Sequence, residues 1–299
     1  MPKISIVLPT YNGSHYIKDS INSIIQQTET DWELIIINDC STDETLSICE
    51  EFVKKDKRIK VFTNKENLKL PASLNAGFSK ATGKYLTWTS DDNLYKPKAF
   101  EIMLKYLEEH PETDFVSADI DWVDENLQKF CQHSSFCKRE TPLSLTYICN
   151  IGACFLYTKE IADKVGKYDE SAFLAEDYDY WCRIALYGTM KYLKDVLYLY
   201  RTNPYSLSSQ REEACKEAGN KIRNKYYNQL LEKYAKNSLQ KTSCLYQISQ
   251  KDKTFPITIA IRFYNVYIRI IRFALNLPLH FHPKRKEIRA KIIMKLTTV

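Results

Sequence analysis

Short apolar runs rich in β-branched residues alternate with amphipathic segments along the first hundred positions of this chain. That alternation predicts βαβ units and a largely parallel sheet. Residues 4–8 read as a first strand, and after the Tyr11-Asn-Gly13 turn Ile17, Ile21, Ile24 and Ile25 recur at helical spacing. The unbroken run 33–38 fits a strand covered on both faces. Ser41 with Glu44 three residues later is a capping-box signature, which starts a helix there and carries it to about residue 55. A third strand over 58–63, a helix over 71–81 closed by Gly83, and a fourth strand over 84–89 follow. The next helix spans 97–109, with Pro97 in the first turn where its missing N–H does no harm. After a β-like segment at 114–118 the period is lost until about residue 150. A strand at 152–157 and helices at 159–165 and 175–186 come next.

From Arg211 the texture changes to long helical patterns rich in Lys and Tyr, so a soft boundary falls near residue 210. Charge changes there too. The net charge of +6 conceals a balance of −7 over residues 1–210 and +13 over residues 211–299, an asymmetry that points the basic part at an anionic partner, nucleic acid or a membrane surface. Between residues 255 and 279, Arg262, Asn265, Arg269, Arg272 and Asn276 share one helical face, opposite Ile259, Phe263, Ile270, Phe273 and Leu277. A charge at every turn rules against a spanning helix but suits one lying in the interface of an anionic leaflet. The alternative is an ordinary helix packed on the protein or on another subunit.

Nine cysteines form no CxxC pair and stand at no metal-site spacing from a histidine, which reads as reduced thiols in a cytosolic protein. Met1-Pro2-Lys3 runs directly into the first strand with no leader-like apolar stretch behind it, so secretion is not expected. The seven glycines are too scattered for GxGxxG, and GxxxxGK, HExxH and GxSxG are absent. Dinucleotide oxidoreductases and P-loop enzymes are thereby excluded.

Asp91 and Asp92 end the fourth strand, at the carboxyl edge where open α/β sheets bind ligands. With no His or Cys nearby, paired oxygen ligands suggest a hard divalent cation together with a phosphorylated ligand, against the simpler reading of a polar turn. Successive side chains of an extended strand diverge, so the two carboxylates should not chelate one ion alike.

Four features then fall in one order: Pro9-Thr-Tyr-Asn12, Asn38-Asp-Cys-Ser-Thr-Asp43, Ser90-Asp-Asp92 and Ala175-Glu-Asp177. Together, over roughly residues 3–208, they resemble the inverting family 2 glycosyltransferases of the GT-A fold, bacterial in type. The resemblance implies an α/β GT-A catalytic domain over 1–210, a mainly parallel mixed sheet flanked by helices, with a basic helical C-terminal region over 211–299. It implies a metal-dependent hexosyltransferase that moves sugar from a nucleotide-sugar, preferentially UDP-linked, to a glycan or lipid-linked acceptor hydroxyl. A setting in surface polysaccharide or glycolipid synthesis at the inner face of the membrane would suit it.

Carried over by position, Thr10, Tyr11, Asp39, Asn75 and Asp91 would contact the donor, with Asp39 accepting the imide N–H of the base. Asp92 would ligate Mn²⁺ or Mg²⁺, and Asp177 would be the general base, its proton affinity raised by Glu176 and Asp179 and lowered by the helix terminus. Arg201 falls in a segment that closes over the diphosphate. Three positions depart from the family pattern, where many relatives have Asp, Gly and His and this chain has Asn38, Lys69 and Asn203. Tyr178, Tyr180 and Trp181 would either line the acceptor side or belong to the core. The rivals are a sugar nucleotidyltransferase, which would open on a Gly-rich basic loop not found here, and a nucleic-acid-binding protein, whose recognition signatures are also missing.

Overall fold

The computed structural model describes residues 1–132, 142–236, 240–241, 244–245 and 248. Strands β1 (Ile4–Thr10), β2 (Trp32–Asn38), β3 (Ile59–Thr63) and β4 (Tyr85–Trp88) are parallel, in the spatial order β3-β2-β1-β4. Helices α1 (Ile17–Ile25), α2 (Thr45–Lys55) and α3 (Leu70–Phe78) make the crossovers. Every residue of β1 and β2 is buried, as continuous apolar strands in a sheet covered on both faces should be. Helix α3 lies so close to the sheet that a Cβ on Gly77 would sit 2.3 Å from Cγ1 of Val7.

The second half completes a mixed sheet. Among the described residues β8 (Phe155–Thr158) is antiparallel to both β4 and β6 (Phe115–Val123), while β9 (Met190–Arg201) is parallel to β6. Two further strands are antiparallel additions, β5 (Leu94–Tyr95) on β9 and β7 (Lys129–Gln132) on β6. Between them run α4 (Ala99–Glu109), α5 (Lys159–Val165) and α6 (Glu176–Tyr187), and after β9 come α7 (Leu207–Gln210) and α8 (Glu212–Tyr234). The chain divides into two compact units, Met1–Pro142 with Cys149–Ile222, and Leu143–Ile148 with the described residues from Arg223 on. In the second unit Tyr147, Leu231, Cys244 and Ile248 form a small buried cluster.

Several local expectations are revised. The capping box is not used: α2 begins at Thr45, whose N–H is taken by the Asp43 side chain, while Ser41 Oγ accepts from Asn12 N instead. Pro97 precedes α4 rather than opening it, and its carbonyl accepts from Thr28 N. Strand β6 continues five residues past Ala118 because its two acidic residues are accommodated inside the sheet; Asp121 is paired with Lys96 at 2.8 Å and Lys129 at 2.6 Å.

Cys40, Cys49, Cys149, Cys154, Cys182, Cys215 and Cys244 are free. No helix among the described residues is long and apolar enough to cross a membrane. The basic amphipathic segment expected over 255–279, and the membrane contact expected of it, lie outside the described residues.

Candidate active site

The candidate donor, metal and base residues all belong to the first unit, and most gather at the carboxyl edge of the parallel strands. Thr10 closes β1 beside Asn38 of β2, and Asp39 N donates to Thr10 O at 2.8 Å. Thr89 N donates to Val7 O at 3.0 Å, which brings Ser90, Asp91 and Asp92 to the same edge.

The adjacent carboxylates diverge. Thr10 Oγ1 donates to Asp91 Oδ2 at 2.5 Å. Asp92 is held on its other side, with Oδ1 accepting from Ser90 Oγ at 2.7 Å and Oδ2 from Asn203 Nδ2 at 3.1 Å. Burial, and then the neighbouring Asp92 charge, push the Asp91 carboxyl up to about 7. Gly13 makes room for this arrangement, since a Cβ there would lie 2.1 Å from Asp91 Oδ2.

Neither acid is ion-paired to a protein cation among the described residues, and their hydrogen-bond donors are neutral. No cluster of three potential side-chain ligands occurs among those residues either. This donor set fits Mg²⁺ or Mn²⁺, which bind through one or two carboxylates and complete their shell with water and substrate phosphate, and it does not fit zinc.

Asp39 organises the loop before α3. Its Oδ1 accepts from Asn64 Nδ2 and Leu68 N, both at 2.8 Å, and its Oδ2 accepts from Lys69 N at 2.9 Å. Lys69 has φ 74° and ψ 168°, a region essentially reserved for glycine that costs other residues on the order of 1–3 kcal/mol. Asn38 uses its Oδ1 to accept from Ser41 N, shaping the turn after β2. Tyr11 is 51% exposed beside this edge.

Asn75, expected at the donor, has its polar atoms committed within the protein. Its amide donates to Tyr168 O at 3.0 Å and Glu170 at 3.2 Å, and its Oδ1 accepts from Tyr168 N at 2.9 Å. It thereby fixes the segment that leads into α6. Arg201 is likewise engaged, buried at 2% exposure, donating to Asp19 Oδ2 at 2.8 Å and lying over the Tyr16 ring.

Asp177 sits in the first turn of α6, and its Oδ1 accepts from Tyr178 N at 2.7 Å. Desolvation by burial raises its pKa. Glu176 is raised to about 7, first by burial and then by the Asp177 charge, and its Oε2 has no hydrogen-bond partner among the described residues. Asp179, expected to add like charge, is salt-bridged to Arg183 at 2.8 Å. Burial therefore does the work expected of the Glu176 and Asp179 charges. Tyr178, Tyr180 and Trp181 are buried, and Tyr180 stacks on Tyr168 with centroids 3.9 Å apart, so they form core and not an acceptor-facing surface.

Tyr200 lies on β9, and its hydroxyl pKa is raised by burial first and then by the Asp92 charge, with the Asp177 charge adding less. The sequence assigns no site role to Tyr200, Gly13 or Ser90, because no motif spacing marks a tyrosine within a strand or a small residue that shapes a carboxylate.

The Glu176 charge state predicts a stability profile. An acid titrating near 7 when folded and near 4.5 when unfolded leaves the native state holding the extra proton between those values. Stability should fall as pH rises through that window, by about 1.4 kcal/mol per pH unit for one such proton, and level off above it. Thermal unfolding of Glu176→Gln is expected to show a shallower pH slope than wild type between pH 5 and 7. Equal slopes would mean that Glu176 ionises in the ordinary range.

Comparison with known proteins is consistent across sequence and fold. The family model "Glycosyl transferase family 2" matches residues 5–166. An uncharacterized glycosyltransferase of Haemophilus influenzae is 30% identical over 295 residues, covering 94% of this chain and 90% of that protein. A Bacillus subtilis glycosyltransferase named for teichuronic acid biosynthesis, TuaG, is 34% identical over 108 residues, or 36% of this chain and 43% of TuaG. Among solved structures, S. aureus TarS 1-349 in complex with UDP-GlcNAc superposes with a TM-score of 0.64 at 19% identity, over 96% of this chain and 89% of that one. The mannosyltransferase PcManGT from Pyrobaculum calidifontis, in complex with GDP-Man and Mn²⁺, gives 0.57 at 15% identity, over 99% and 87%. These two likenesses show the GT-A fold.

Proposed function

This chain belongs to glycosyl transferase family 2, and from that premise we propose that it transfers a sugar, with inversion, from a UDP-sugar to an acceptor hydroxyl. The observation that supports the reading is the group of acids Asp39, Asp91 and Asp92 at the carboxyl edge of the parallel strands, where Asp91 and Asp92 accept only from neutral donors among the described residues. Thr10, Tyr11, Asp39 and Asp91 form the donor side: the Tyr11 ring offers stacking to the base, and Asp39 Oδ2, with one protein donor, keeps capacity for a base imide N–H. Asn75 serves that side indirectly, by holding Tyr168. Asp92 would hold Mg²⁺ or Mn²⁺, and such an ion, when bound, stabilises negative charge on a diphosphate leaving group.

Asp177 takes the proton of the acceptor hydroxyl as that oxygen attacks the anomeric carbon opposite the diphosphate, so one displacement inverts the centre. The domain division follows the same reading, a catalytic domain over about residues 1–210 and a basic helical extension beyond. The resemblance to TuaG favours an acceptor in surface polysaccharide synthesis, and the basic segment beyond residue 254 would then bring the enzyme to the membrane face where a lipid-linked acceptor lies.

Thermal unfolding in the presence of UDP, GDP or dTDP, with Mn²⁺ or with a chelator, tests the donor side. A ligand that binds only the folded state stabilises it by about 2.7 kcal/mol at a hundredfold excess over its Kd. UDP with Mn²⁺ is expected to raise the Tm most, and the chelator to remove most of that gain. A Tm indifferent to all three nucleotides would overturn the reading.

A further inference from the structure

The strained lysine beside Asp39 is unexplained by anything within the protein. Lys69 adopts φ 74° and ψ 168° because its N–H is tied to Asp39 Oδ2 and Asn67 Oδ1, while the preceding Leu68 N–H is tied to Asp39 Oδ1. Those bonds dictate the backbone whichever residue stands there, and glycine would adopt it without steric cost. The lysine side chain returns nothing visible for the strain. It is exposed, and its ammonium makes no ion pair or hydrogen bond among the described residues.

Charge supplies the missing partner. Three acids, Asp39, Asp91 and Asp92, stand at this edge of the sheet, and the buried arginine of the same unit, Arg201, donates to Asp19 and lies over Tyr16, its Nε without a hydrogen-bond partner among the described residues. Lys96 and Lys129 are spent on Asp121, and Lys60 on Glu33. A nucleoside diphosphate arriving here brings further negative charge, and one divalent ion at Asp92 leaves part of it uncompensated. We propose that Lys69 is a donor-binding residue, whose ammonium pairs with the diphosphate while its backbone N–H positions Asp39 for the base. This rests on the nucleotide-sugar reading given above. Strained backbone retained at a ligand site is a recognised mark of function, and lysine acts on phosphate as a mobile point charge.

Three variants separate strain from charge. Lys69→Gly removes both, Lys69→Met keeps the strain and removes the charge, and Lys69→Arg keeps both. Calorimetry with UDP and with uridine, alongside ligand-free Tm, reads them out. Lys69→Gly is expected to unfold at a higher temperature than wild type, yet to bind UDP about tenfold more weakly. Lys69→Met should lose the same affinity with no gain in Tm, and Lys69→Arg should retain binding. Uridine affinity should be unchanged throughout.

UDP binding at the wild-type level in both Lys69→Gly and Lys69→Met would overturn the proposal. So would an equal loss of uridine affinity, which would move the lysine's contact to the nucleoside. A glycine variant no more stable than wild type would remove the strain that motivates it. If wild type itself binds none of the nucleotides tested above, the functional reading fails first, and that outcome is distinct from wild-type binding that the variants leave untouched.

Discussion

Asp177→Asn should lower sugar transfer by about 10²- to 10⁴-fold, the usual contribution of a positioned general base, while leaving nucleotide binding at the wild-type level. The substitution is nearly isosteric, and an Asn Oδ1 can still accept from Tyr178 N, so the first turn of α6 should keep its shape. What is lost is the ability to take a proton. The acidic limb of kcat carries a second expectation from the same geometry. Burial raises Asp177, and the neighbouring Glu176 titrates with it, so the pair loses its protons in two steps that belong to both groups. Below the raised values Asp177 holds a proton and cannot act as a base. The limb should therefore stand above that of an exposed aspartate, and Glu176→Gln, which leaves the burial of Asp177 in place, should keep it there. Near-normal turnover in Asp177→Asn would take the base role away from this residue, and a limb at the position of an exposed aspartate would show that burial does not raise it.

The N-terminal half of the fold was legible because its signals are local. Strands β1 to β4 are short and continuous, and the helices between them carry a plain 3.6-residue period. Strand β9 hid for a physical reason. Its pairing with β6 passes from Ala118–Leu193 to Asp119–Val196 and then Ile120–Tyr198, so extra residues at 194–195 and 197 break the two-residue alternation that marks a strand. The acids inside β6 were equally misleading, since Asp121 looks like a loop residue until Lys96 and Lys129 close on it from distant parts of the chain. Ser41 and Glu44 erred in the other direction. Their spacing suits a cap, but Ser41 finds its partner across the sheet edge at Asn12, a contact that no local rule anticipates.

The candidate site shows the same division. Asp39, Asp91, Asp92 and Asp177 could be picked out because acids in motif order are visible in one dimension. Their settings could not, because each depends on groups brought together only by the fold: Thr10 on Asp91, Asn203 on Asp92, and Lys69 N–H on Asp39. Asn75 illustrates the limit. Its place in the motif suggested a donor contact, whereas its amide reaches across 93 positions of sequence to hold both backbone groups of Tyr168.

Trp181→Ala is expected to have the largest effect on stability, about 3–5 kcal/mol, the range for truncating a large buried aromatic residue. Trp181 is 1% exposed and lies one turn beyond Asp177 on α6. Its ring meets Phe155 edge-on at 4.6 Å and Phe115 at 5.0 Å, with Tyr180 at 5.8 Å and Tyr157 at 6.2 Å. Phe115 belongs to β6, and Phe155 and Tyr157 belong to β8, so this one side chain fastens the helix carrying the proposed base to the middle of the sheet. Truncation would leave a cavity among rings that cannot collapse into it without giving up their own contacts. Denaturant unfolding should report the loss directly, while Trp181→Phe, which keeps an aromatic plug, should recover most of it. The two variants also separate core from acceptor surface. If Trp181 fills the core, its removal changes unfolding first, and activity falls through displacement of Asp177, since a shift of about 1 Å at a catalytic group can cost on the order of 10² in rate. If it faced the acceptor, KM for the acceptor would rise while unfolding stayed as in wild type, an outcome that would contradict the packing described here.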